Sequence, residues 1–161
     1  MQIAGSARIA AAPDAVWAAL IDPAFLARLI PGCERMTGSV EEGYEVTAAR
    51  SVAGAEIRMA GRFALSEVRP GRGCLLTGSG EAAGAGGARG TCRIALSPEG
   101  EGTRLAWDIA AETAGRLARL PDFVVSMAAR KVADGFVARF AAALEGREPA
   151  VRTGLLGRLR G

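Results

Sequence analysis

Nine residues of this chain could build a site, and the chemistry they offer is apolar binding. Ile57, Met59, Gly61 and Phe63 recur at every second position of one stretch. Trp107 and Ile109 do the same in another, and Phe123, Met127 and Phe136 fall in a third. A flexible thioether, planar rings and branched aliphatics suit a flat apolar molecule such as a quinone. Glycine at 61, on the same face, marks a bend or a place where a ligand or backbone comes close. Acid–base and nucleophilic chemistry finds no support. The chain has no histidine, which removes the commonest general base and the commonest metal ligand. Cys33, Cys74 and Cys92 are an odd, widely spaced set, neither a disulfide framework nor a zinc site. Gly84-Ala85-Gly86-Gly87 is not followed by the Lys-Ser/Thr of a phosphate loop. No catalytic residues and no metal site are therefore expected.

The elements that must position these residues can be read in order. Residues 2–10 read as a first strand. Pro13 suits the first turn of a helix containing Trp17, Leu20 and Ile21. Asp22-Pro23 breaks it, and Asp22 is a good N-cap for a second short helix, Ala24 to Ile30, which Pro31-Gly32 ends. A long β region follows. Glu42-Gly43 turns between strands near 34–41 and 44–51. Residues 56–68 put Ile57, Met59, Gly61, Phe63 and Leu65 on one face and Glu56, Arg58 and Arg62 on the other. That is the period-two pattern of an antiparallel strand with one dry side. Strands at 74–81 and 89–96 flank a Gly/Ala-rich link at 82–88. The strand at 103–112 directs Leu105, Trp107 and Ile109 one way and Arg104 and Asp108 the other.

The last element is a helix from about Pro121 to Leu144, with Pro121 in its first turn and Gly146 as its stop. Phe123, Met127 and Lys131 trace one line along it; Val124, Ala128, Val132, Phe136 and Phe140 trace the next. Strands run together and helices are segregated, so the fold class is α+β. A sheet of six to seven strands would leave its apolar face wet, and the long helix is the element able to cover it. The sequence thus predicts a curved antiparallel sheet gripping a C-terminal helix, with two short helices after strand 1.

Length and charge narrow the function classes. The 161 residues fit one domain: a ligand-binding body over 1–145 and a short basic tail over 146–161. Half the residues are hydrophobic but only 5% are aromatic, so much of the apolar content is Ala and Gly, which fill volume poorly. The net charge is +3. Residues 1–145 hold sixteen basic and sixteen acidic side chains, so the whole excess lies in the tail. A neutral body argues against nucleic-acid binding. The cysteine usage suggests a reducing cytoplasm, and no apolar run approaches the roughly 20 residues of a membrane span. The tail joins Leu155, Leu156 and Leu159 to Arg152, Arg158 and Arg160. It reads as a weak membrane contact at the inner face or as a solubilising end.

Two stretches carry a family resemblance. Ile30-Pro31-Gly32-Cys33-Glu34, and Ala128 to Phe140 with Arg130-Lys131, Asp134, Phe136, Arg139 and Phe140, resemble the signatures of the carbon monoxide dehydrogenase CoxG proteins. These lie within the START/polyketide-cyclase-like (SRPBCC) superfamily of helix-grip folds. Ala12-Pro13-Asp14-Ala15-Val16-Trp17, Asp22-Pro23 and Gly102-Thr103-Arg104-Leu105 are similar to more general superfamily patterns. The resemblance covers residues 1 to about 145. It implies a cavity between sheet and helix, and a non-enzymatic role beside a molybdenum hydroxylase of the carbon monoxide dehydrogenase type, in maturation, membrane recruitment or electron delivery. Menaquinone is the kind of apolar ligand it implies. The nine residues above would line that cavity, although the same periodicity suits an ordinary packed core. A cyclase- or hydratase-like enzyme and a ligand-free assembly factor are the alternatives. The first needs polar groups in the cavity; the second needs a filled core.

Overall fold

Period-two alternation becomes one continuous antiparallel sheet in the computed structural model, which describes residues 1–52 and 54–146. The strands are β1 (Gln2–Ile9), β2 (Cys33–Ser39), β3 (Gly43–Val52), β4 (Ala55–Arg69), β5 (Gly73–Ala82), β6 (Gly86–Glu99) and β7 (Gly102–Ala114). Their order in the sheet is β1-β7-β6-β5-β4-β3-β2. Every neighbour from β2 to β7 is a hairpin, and β1 closes onto the far edge beside β7. Helices α1 (Pro13–Leu20) and α2 (Pro23–Ala27) sit between β1 and β2, and α3 (Asp122–Leu144) follows a short 3₁₀ turn over Gly115–Arg119.

Local chemistry sets the boundaries. Pro13 opens α1, and the Asp22 side chain accepts from the Ala24 N–H at 3.0 Å to cap α2. That helix stops at Ala27, three residues earlier than its sequence predicts. Pro121 stands at the N-cap of α3 rather than inside its first turn. At the other end Gly146 takes φ 77°, the left-handed conformation that ends a helix without penalty in glycine. The Gly/Ala link expected over 82–88 is mostly strand, since β5 and β6 extend to residues 82 and 86. The tail from 147 onward lies outside the described residues.

The core gathers where α1, α2 and the C-terminal end of α3 meet the sheet. Ile9, Val16 and Phe140 are fully buried, with Trp17, Leu26, Leu29, Cys74, Leu96 and Leu105 nearly so. The Phe25 ring meets Phe140 edge-on at 5.7 Å, and Phe136 stacks on Phe140 at 6.1 Å. Thr103, the one buried polar residue of the described part, donates its hydroxyl to the Ala11 carbonyl at 2.7 Å. Charged pairs stay on the outside: Arg58 with Glu34 and Glu56, Arg89 with Glu112, and Arg93 with Glu67. Exposed pairs of this kind contribute little to stability.

Candidate functional site

Register explains how the sheet makes room. On the inner face Leu65, Leu76, Cys92 and Ile109 form one row across β4 to β7. The next row is Phe63, Gly78, Gly90 and Ala111, and the one after it begins Gly61, Gly80, Ala88. Side-chain volume therefore falls away along the sheet, and a hollow of about 370 Å³ opens over Val46, Gly61, Phe63, Gly78, Gly90 and Ile109.

Beside it lies a more enclosed cavity of about 240 Å³, sharing Phe63 and Leu76 as walls. Trp17 and Ile21 of α1, Ile30, Met36, Phe63 and Phe136 are among its lining, and every side chain there is apolar except the Cys74 thiol. Tyr44 braces the wall: its ring stacks on Phe63 at 4.9 Å, and its hydroxyl donates to the Ile21 carbonyl at 2.7 Å. Burial first, and then the nearby Glu41 charge, holds that hydroxyl above its ordinary ionisation range. Larger hollows of about 1010 and 870 Å³ are broad saddles of the twisted sheet, walled by charged and hydroxyl side chains such as Arg62, Thr77 and Glu112.

Of the nine residues named from sequence, the structure brings four to these inner hollows: Gly61, Phe63, Ile109 and Phe136. Ile57 is half-buried on the same face, and Met59 lies at the rim of an outer saddle. Trp107 packs against the core with its ring over Gly5, its register partner, and lines neither inner hollow. Phe123 and Met127 do not point inward; they are 67% and 68% exposed. Phe136 and Phe140 fix the rotation of α3. At about 100° per residue, Met127 then falls roughly opposite Phe136 and Phe123 some 140° away. Val125, Ser126, Ala129 and Ala133, half-buried, take the sheet-facing side instead. Trp17, Ile21, Ile30 and Met36 were not foreseen as lining. Their helical spacing in α1 signalled burial, but not that α1 forms a cavity wall.

Burial pushes the Cys92 thiol up to about 11 from an ordinary 9.0, with the Cys74 and Asp108 charges adding and a backbone hydrogen bond opposing. Cys92 should therefore alkylate at pH 8 at least ~10-fold more slowly than a peptide thiol. The sign for stability follows. Between pH 9 and about 11 the unfolded chain loses a proton that the folded chain keeps, so stability falls as pH rises through that window. Alkylation at the peptide rate, or stability flat across it, would contradict this burial. Among the described residues no group of three His, Cys, Asp or Glu could hold a metal ion. No described helix is long and apolar enough to cross a membrane.

A curved antiparallel sheet closed over an apolar cavity by a long C-terminal helix defines the helix-grip class of START/polyketide-cyclase-like proteins. The family model for the carbon monoxide dehydrogenase CoxG proteins matches residues 5–145, and the chain belongs to that family. The solved structures it resembles include a conserved protein from Geobacillus kaustophilus, at TM-score 0.81 and 22% identity over 91% of this chain and 96% of that one. TTHA0849 from Thermus thermophilus matches at TM-score 0.65 and 14% identity, covering 91% and 98%. Ara h 8.0201 matches at TM-score 0.65 and 15% identity, covering 91% and 99%. At these identities the likeness is one of fold. No curated protein matches the chain.

Proposed function

We propose that the chain is a non-enzymatic accessory protein of a carbon monoxide dehydrogenase-type molybdenum hydroxylase, and that it carries an apolar quinone-like or lipid-like molecule in its inner cavity. The family supports the association with the enzyme. The carrying observation is the enclosed 240 Å³ cavity walled by Trp17, Ile30, Phe63 and Phe136, with the adjoining hollow over Gly61 and Gly90. Planar rings and small residues would hold a flat ring system such as menaquinone, and the dry wall would shield it from water. Such a carrier serves electron delivery, membrane recruitment or maturation of its enzyme.

A cyclase or hydratase would need polar groups at the ligand. The cavity wall offers the Cys74 thiol, which burial keeps protonated. This disfavours the enzymatic reading.

The test is organic extraction and native mass spectrometry of protein from its own host, followed by menaquinone titration against tryptophan fluorescence. Trp17, in the wall and 8% exposed, is the reporter. Saturable quenching lost in Trp17→Phe supports the carrier. No extractable compound and no saturable quenching would leave an assembly or docking role.

A further inference from the structure

The cavity wall is uncharged, but two cations without counter-ions among the described residues flank one segment of it. Arg139 lies three residues beyond Phe136 on α3, half-buried, and its Nε donates to the Leu29 carbonyl at 2.8 Å. Its Nη1 would stand 3.3 Å from a Cβ at Gly135. Arg50 continues the inner-face series Tyr44, Val46, Ala48 along β3 and pairs across the sheet with Ile57. Its Cγ would lie 3.1 Å from a Cβ at Gly32. The two side chains thus flank residues 29–32, whose Ile30 lines the cavity. Desolvation, and then the nearness of Arg50, makes the charged form of Arg139 harder to keep. Among the described residues, no carboxylate forms an ion pair with either guanidinium, whereas Arg8, Arg58, Arg89 and Arg93 all have one.

Two like charges held together beside an apolar space are relieved by a negative charge, and a guanidinium fork matches a carboxylate or phosphate. We infer that Arg50 and Arg139 receive the anionic head of an amphiphile whose apolar chain occupies the inner cavity. This rests on the carrier reading and narrows its ligand to the lipid-like class: a single-chain acid with its tail among Phe63, Phe136 and Ile30.

The probes are dodecanoate, dodecanol and a short-chain menaquinone, each titrated by calorimetry at pH 8 into the wild type, Arg50→Gln and Arg139→Lys. Dodecanoate should bind about tenfold more tightly than dodecanol, the scale of a charge-assisted bond. Arg50→Gln should abolish that ratio while leaving dodecanol affinity unchanged. Arg50 is exposed, so this variant should fold; Arg139→Lys keeps the charge and should retain most of the ratio. Equal affinity for acid and alcohol, or for acid and quinone, overturns the anionic-head inference and leaves the carrier reading standing. A preference for the acid that survives Arg50→Gln overturns it as well. Failure of all three probes to bind removes the carrier reading and the inference together.

Discussion

Phe140→Ala should destabilise the protein by about 3–5 kcal/mol, seen as a fall in the urea midpoint with an unchanged slope. Phe140 is fully buried between Phe25 and Phe136. Its removal leaves a void that the sheet cannot collapse around, because α1, α2 and β1 already fix the surrounding wall. The same substitution at Phe123, on the same helix but 67% exposed, should cost less than about 0.5 kcal/mol. Equal effects at the two positions would mean that α3 docks through its first half, contrary to the arrangement described above.

Gly61→Leu is expected to reduce apolar-ligand uptake at least ~10-fold while leaving the melting temperature the same or higher. A Cβ at position 61 would meet the Ser79 carbonyl at 3.3 Å and Val46 Cγ1 at 3.5 Å, so its neighbours need to yield by only a few tenths of an ångström. Beyond Cβ the leucine side chain extends into the hollow over Gly78 and Gly90. Glycine within a strand costs stability, so filling the space should not weaken the sheet. Titration by tryptophan quenching, paired with thermal unfolding, separates the two effects. Unimpaired binding in a well-folded Gly61→Leu protein would place the ligand elsewhere.

The sheet was legible because strand alternation is binary. Once Ile57 and Phe63 are inward, Arg58 and Arg62 must be outward. The rotation of α3 was not legible, because apolar residues occupy several of its sides. Phe123 and Met127 are larger than Val125 and Ala129, and size favours them in a sequence reading. The choice is made at the far end of the helix, by Phe136 and Phe140 against Phe25. That contact joins positions more than a hundred residues apart, and no local pattern encodes it. Arg50 and Arg139 illustrate the same limit. Their approach depends on β3, the Pro31-Gly32 turn and α3 arriving at one place.

Because rotation leaves Phe123, Val124 and Met127 in water, the two ends of α3 differ in local stability. The helix begins near the β5–β6 turn, where the Leu117 N–H donates to the Ala85 carbonyl, and runs to the buried Phe140. Unwinding its first turns uncovers little apolar surface that solvent does not already reach, whereas unwinding its last turns uncovers the core. The free energy of local opening therefore rises from one end to the other, from a small value to that of global unfolding. A molecule can pass beneath the first half through a brief, local melting of helix while the core stays shut. Such a fold has a door that needs neither a hinge nor a domain movement.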